Sequence, residues 1–327
     1  MPADTVQLIV QADYQVLPCL VCDGTDFDVL LTPEQIQAEA AWLRDFHRAR
    51  VLCPDDDLID KAEFTQSEPV FLLRCNACRT LLRNPQPTPK ALQARYRADE
   101  YGPATLQELL ENERDFFRRK ANSIDLPTGS RVLEIGSFVG AFLLAAKEKG
   151  WQATGIDIGK ETCEFMRGLG LEVLEGDLQS HHIPTGFDAV FIWNTFDQIN
   201  EPRSLLKDLR RLLKRDGHLV LRVPNGEFKS LALQQATDAA RRAEAYNNFL
   251  TFPYLCGYTR ESLSHLLNEE GFEVDRITGD VILPLATANT KRYAIEEEVR
   301  IKRLVMRFCG RSKSFCYPWM DVVANVI

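Results

Sequence analysis

From Arg131 onward the chain alternates short apolar runs with amphipathic stretches. Arg131–Ile135 is short and apolar, and Ala141–Glu148 then carries helical spacing. The pattern repeats with Gln152–Ile156 as strand, Lys160–Gly168 as helix, Leu171–Leu174 as strand and Phe187–Trp193 as strand. Pro202–Lys214 reads as a helix opened by proline, where a missing N–H costs nothing. Asp216-Gly217 predicts a turn and His218–Val223 a strand. Thr259–Asn268 predicts a helix capped by Thr259 and ended near Gly271, and Phe272–Ile277 with Val281–Leu283 predicts a closing strand pair. Alternating strands and helices imply an α/β fold, a mostly parallel sheet with helices on both faces. Ligands in such sheets bind beyond the carboxyl ends of the strands.

The segment before this pattern is different. Ala91–Asp99 and Ala104–Ile124 read as helices, the second with Leu106, Leu109, Leu110, Phe116 and Phe117 among charges. They follow Asn84-Pro85-Gln86-Pro87-Thr88-Pro89, whose alternating prolines favour extended backbone and mark a boundary. Ahead of that boundary stand two CxxC pairs, Cys19–Cys22 and Cys75–Cys78, separated by an acidic, helix-prone insert over Thr32–Arg50. Two residues between cysteines let one tight turn present two thiolates to one ion, and two such turns complete a tetrahedral Zn2+ site with no open position. A metal held that way supports folding rather than catalysis. Redox use of one pair is the lesser alternative, because neither pair opens a helix after a strand. The division expected is therefore 1–89 as a zinc-ribbon-like region, 90–125 as connecting helices, 126–285 as the main α/β domain and 286–327 as a C-terminal extension.

Composition narrows the function. A chain of 327 residues, 45% hydrophobic and 26% charged, is ordinary for a globular protein. An odd count of nine cysteines argues against a disulfide framework. Met1–Val16 lacks the features of a signal peptide and no run reaches the length of a membrane span, so a cytoplasmic protein with no membrane association is expected. The net charge of −8 makes a nucleic-acid partner a poor expectation, although residues from Ala286 onward carry eight basic and four acidic side chains.

The candidate chemistry begins at Val132-Leu133-Glu134-Ile135-Gly136-Ser137-Phe138-Val139-Gly140, an apolar strand running into a glycine-bounded turn. Asp157 ends the next strand, where a carboxylate can accept the hydroxyls of a ribose. Asp177 follows the third strand, where a carboxylate can accept an adenine amino group. Two cofactor classes compete for this layout. A dinucleotide wants a second glycine in the turn for its pyrophosphate, and that glycine is missing. S-adenosylmethionine has no phosphate and wants an acidic residue, backbone groups and a diol acceptor, all of which are present.

On these landmarks the chain resembles the class I S-adenosylmethionine-dependent methyltransferases over about residues 120–285, and in particular a bacterial subgroup with an N-terminal four-cysteine zinc region. Gly155-Ile156-Asp157, Asp188–Trp193, the run Leu212–Leu221 with Pro224-Asn225, and Asn84-Pro85 with Tyr101-Gly102 carry the resemblance further. It implies a Rossmann-like seven-stranded sheet and methyl transfer to a small molecule, such as a sugar or natural-product intermediate. It places Glu134, Gly136, Ser137 and Gly140 around the methionine part and Asp157 on the ribose. Ile158 and Leu178 would flank the adenine, Asp177 would bind its amino group, and Asn194 would lie beside the sulfonium. Two places depart from the pattern. Phe138 stands where relatives have glycine, and Gln198 stands where many have a histidine. A glutamine cannot take a proton at neutral pH. Tyr101, Asp197, Tyr254 and Tyr258 are near the expected cleft, and none is nominated as base. Two other readings remain, a zinc-containing binding protein with a vestigial methyltransferase fold and an RNA-directed methyltransferase.

Overall fold

The computed structural model describes residues 13–50, 52, 69–98, 101–235, 238–245, 254–281, 290–309 and 317–327. The first twelve residues of the Met1–Val16 segment, Cys53, Cys316, Leu283 and Phe315 lie outside the described residues.

The N-terminal region contains β1 (Tyr14–Gln15), β2 (Phe27–Leu31), α1 (Pro33–Arg48), β3 (Phe71–Cys75), β4 (Leu81–Asn84) and β5 (Gln86–Pro87). Thr32 and Gln35 satisfy each other's backbone N–H at the start of α1, and Pro33 follows in the first turn. Ile36, Ala40, Leu43 and Phe46 recur at helical spacing, and their face is buried. Two helices follow, α2 (Pro89–Ala98) and α3 (Pro103–Asn122).

The α/β body then runs β6 (Arg131–Ile135), α4 (Ala141–Glu148), β7 (Gln152–Asp157), α5 (Lys160–Gly168), β8 (Glu172–Glu175), β9 (Phe187–Trp193), α6 (Pro202–Leu212) and β10 (Leu213–Pro224). It continues through α7 (Gly226–Gln235), α8 (Asp238–Ala245), β11 (Cys256–Gly257), α9 (Arg260–Glu269), β12 (Phe272–Asp280), α10 (Arg292–Cys309) and β13 (Trp319–Val326). Seven strands form one sheet in the order β12-β13-β10-β9-β6-β7-β8. Pairs from β10 to β8 are parallel, and β13 is antiparallel to both neighbours. The α/β class and the seven-stranded, mostly parallel sheet match the sequence reading. Among the described residues no helix is long and apolar enough to cross a membrane.

Two features differ from expectation. The turn expected at Asp216-Gly217 is absorbed into β10, whose pairing with β9 shifts register between Leu213 and His218. Of the expected closing strand Val281–Leu283, residues 282 and 283 lie outside the described residues, and β12 has another neighbour. Its partner is β13, which inserts between β10 and β12, so the sheet takes a strand from the segment expected to be an extension. Met320, Val322 and Ala324 alternate along β13 and are buried on one face of the sheet, and Trp319 is buried at its start. The N-terminal sheet is shared in a similar way: its order is β11-β4-β3-β2, and β11 belongs to the body.

Removal of residues 319–327 leaves β10 and β12 without their common neighbour. The expected outcome is loss of the cooperative thermal transition in circular dichroism, whereas a mere tail would leave it intact.

Candidate functional site

β6 has β7 on one side and β9 on the other, so the direction of strand progression reverses between β6 and β9. A crevice opens at such a reversal, beyond the carboxyl ends of the strands. Here it is a cavity of about 720 Å3. Of the residues expected at a cofactor, Glu134, Gly136, Ser137, Asp157, Ile158, Asp177, Leu178 and Asn194 all line it. Gly140 does not. It caps α4 with φ 74°, and a Cβ there would press on Leu171 and Met166 behind the wall.

Asp157 organises the turn. Its Oδ2 accepts the Phe138 N–H at 2.7 Å, and its Oδ1 accepts the Gly159 N–H at 2.9 Å and the Thr162 hydroxyl at 2.8 Å. Burial raises its carboxyl, and these bonds partly offset the rise. Phe138 adopts φ 48°, the left-handed conformation that glycine takes without strain, and its ring meets Tyr101 edge-on at 5.6 Å. Gly136 has φ 75°, and a side chain there would collide with Thr195.

Glu134 is 3% exposed, and its Oε2 finds no hydrogen-bond partner among the described residues. Burial pushes its carboxyl well above the usual range; a Ser137 bond opposes the rise, and the charges of Asp157 and Glu113 add to it. Glu113, on α3, lines the same cavity, and burial pushes it up to about 7. An unmet buried acceptor beside further carboxyls is a costly arrangement for the fold by itself.

At the third strand, Asp177 caps a short turn through Ser180 and accepts Gln93 Nε2 from α2 at 2.9 Å. At the fourth, Asn194 stands at φ 55°, with its Oδ1 accepting Arg222 Nε at 3.0 Å. Gln198 donates to the Asn194 carbonyl and accepts from the Tyr96 hydroxyl, so its amide is used as a brace. Leu43, Arg44 and His47 of α1 form part of the wall, as do Tyr101 and Tyr254. Asp197 and Tyr258 are fully buried outside the cavity lining; burial pushes the Asp197 carboxyl up to about 8.

Glu113, Gln93 and Arg222 were not singled out by the sequence. Each comes from an element outside the glycine-rich turn, and charged or amide residues on helices α2 and α3 carry no mark of the cavity they face.

The cysteines form a second centre. The ligand atoms of Cys19, Cys22, Cys75 and Cys78 all lie within 4.8 Å of one another. The two knuckles share one geometry. Asp23 N–H donates to the Cys19 carbonyl at 2.9 Å and Arg79 N–H to the Cys75 carbonyl at 3.0 Å, and both residues have positive φ. Sulfur pairs join across knuckles, Cys19 to Cys78 at 3.4 Å and Cys22 to Cys75 at 3.5 Å, too long for a disulfide. His181 bonds to the Glu175 carbonyl at 2.8 Å and is not part of either centre.

Comparison with known proteins finds a family match over part of the chain. A family model described as a methyltransferase domain matches residues 100–277, more than half of the chain. A ubiquinone biosynthesis O-methyltransferase of Vibrio cholerae serotype O1 is 27% identical over 124 residues, which cover 36% of this chain and 49% of that protein. A counterpart from Aliivibrio fischeri is 24% identical over 139 residues, covering 40% and 55%. The chain thus spans about half the length of the curated relatives it matches. Among solved structures, an S-adenosylmethionine-dependent methyltransferase from Archaeoglobus fulgidus superposes with a TM-score of 0.44 at 21% identity, covering 66% of this chain and 94% of that one.

The raised Glu113 carboxyl has a stability consequence. Its folded value of about 7 lies above its ordinary 4.5, so the folded state keeps its proton longer than the unfolded state. Stability from this group is full below pH 4.5 and is lost as pH rises through about 7. Glu113→Gln should therefore raise the melting temperature by roughly 2–4 °C at pH 8 and leave it unchanged near pH 4. Differential scanning fluorimetry across that pH range checks the sign.

Proposed function

The chain belongs to the methyltransferase-domain family, and from that premise we propose that it transfers a methyl group from S-adenosylmethionine to a small-molecule acceptor. The observation that carries the reading is the unpartnered, buried Glu134 Oε2 in a wall shared with Glu113, Asp157 and Asp177. S-adenosylmethionine brings an ammonium, a sulfonium and one carboxylate and no phosphate, so its net positive charge complements that wall. A dinucleotide pyrophosphate would meet carboxylates of its own sign.

Glu134, Gly136 and Ser137 hold the methionine part in this reading, and Gly140 acts from behind by letting α4 start. Ile158 and Leu178 flank the adenine. A carboxylate offers about four lone-pair positions, and three are already taken on both Asp157 and Asp177. Each therefore has room for one further donor, a single ribose hydroxyl on Asp157 and the adenine amino group on Asp177. Asn194 lies at the sulfonium end.

S-adenosylmethionine, when bound, supplies an electrophilic methyl group. The residues around it align the acceptor for in-line displacement and exclude water. No side chain is assigned as base. Gln198 is a hydrogen-bonded brace, and Asp197 is sealed from the cavity. Tyr101 and Tyr254 give the acceptor half aromatic walls that suit a sugar face or a planar natural-product intermediate.

Cys19, Cys22, Cys75 and Cys78 would hold a structural Zn2+. A zinc tetrathiolate with bonds of about 2.3 Å has sulfur–sulfur edges of about 3.8 Å, close to the cluster's own spacing. All four positions come from the protein, so the ion supports folding. Four thiols kept for a metal suit a reducing compartment, which points to the cytoplasm.

Two measurements follow. In calorimetric titration with S-adenosylmethionine, Glu134→Gln should weaken binding by about tenfold, the scale of one charge-assisted bond. Asp157→Ala should weaken it at least as much, and unchanged affinity in both variants refutes the proposal. Elemental analysis should find one zinc per chain, and Cys75→Ser should lose it together with several degrees of melting temperature. A metal-free wild-type protein of equal stability would remove the zinc assignment.

A further inference from the structure

Beneath the crevice lies a group of charges that the reading above does not use. Arg222, on β10, has a side chain with no solvent exposure. Its Nη1 donates to Asp280, the last residue of β12, and to Asp321 of β13 at 3.1 Å. Its Nη2 donates to the Val281 carbonyl at 2.8 Å. Lys120 of α3 pairs with the same two carboxylates. Two cations thus balance two anions, with Arg222 fully buried and Lys120, Asp280 and Asp321 partly buried. The guanidinium also lies over two rings, 5.0 Å from the centre of Phe116 and 4.9 Å from that of Trp319.

The remaining nitrogen, Nε, points elsewhere in function: it binds Asn194 Oδ1 at 3.0 Å, while the Asn194 N–H donates back to the Arg222 carbonyl at 3.1 Å. Asn194 is held at both its backbone and its side chain by one residue, in a left-handed conformation. Arginine can only donate, so the amide oxygen is committed and the Nδ2 donors are the end left for a ligand.

We propose that Arg222 is a positioning residue that sets Asn194, and with it the loop at the reacting end of the crevice, in its binding conformation. The proposal rests on the reading of that crevice as the S-adenosylmethionine site. Its logic is geometric. A planar fork can satisfy two carboxylates, a carbonyl and an amide oxygen together, which a lysine ammonium cannot. The two strands that end the chain therefore act on cofactor binding from outside the cavity, through one side chain.

The test is a double-mutant cycle read by calorimetric titration with S-adenosylhomocysteine. Arg222→Lys keeps the charge beside Asp280 and Asp321 and loses the fork. Asn194→Gly keeps the left-handed backbone without strain and loses the amide. Each should weaken binding by about three- to tenfold, the scale of one hydrogen bond to a charged group. The double variant should bind no more weakly than either single one. Additive losses, or an Arg222→Lys protein that melts lower but binds as wild type, overturn the proposal. Asp280→Asn is the second variant, because it slackens the clamp and leaves the arginine in place; weaker binding is expected, and unchanged affinity in a folded protein also overturns it. Asp157→Ala is run in parallel. If it too leaves binding unchanged, the crevice assignment has failed; if it weakens binding while Arg222→Lys binds as wild type, only the positioning role has failed.

Discussion

The structure depends on how one carboxylate is used. Asp157 ends β7 and accepts from the backbone of Phe138, from Gly159 and from Thr162. Those bonds join the glycine-bounded turn after β6 to the start of α5, across the mouth of the sheet. They also hold Phe138 at a positive φ that a β-carbon resists, at a cost of about 1–2 kcal/mol. With the turn set, Glu134 stays buried below it and the cavity keeps its shape.

The acidic wall is a strained arrangement of the kind that functional sites retain. Glu134 and Glu113 face one cavity, and burial raises both carboxyls. A folded state designed for stability alone would replace them with apolar residues. Their presence makes sense where a cationic ligand completes the site, and such a ligand stabilises the protein by an amount that grows with the logarithm of its affinity.

The parts outside the methyltransferase-type sheet are not appendages. The knuckle region's sheet takes β11 from the body, α1 contributes Leu43, Arg44 and His47 to the cavity wall, and α2 reaches Asp177 through Gln93. The insert between the two CxxC pairs thus faces the same space as the glycine-bounded turn. Glu297 of α10 pairs with Arg50, just beyond α1, and with Arg242 of α8, which ties the wall to distant segments.

Local patterns along the chain were sufficient to identify the alternating α/β architecture, the glycine-bounded turn, the carboxylates at 134, 157 and 177, and the two cysteine pairs. Those signals are short-range: a strand's apolar run, a helix cap or a two-residue spacing is complete within a few positions. What the tertiary structure alone decided is long-range. It brought Trp319–Val326 in between β10 and β12, faced Glu113 toward Glu134, and joined Arg222 to Asp280, Asp321 and Asn194. Strand pairing and charge pairing between residues on different elements, 99 positions apart for Arg222 and Asp321, leave no local trace. Each depends on which surfaces meet once the sheet has formed, and no spacing along the chain encodes that meeting.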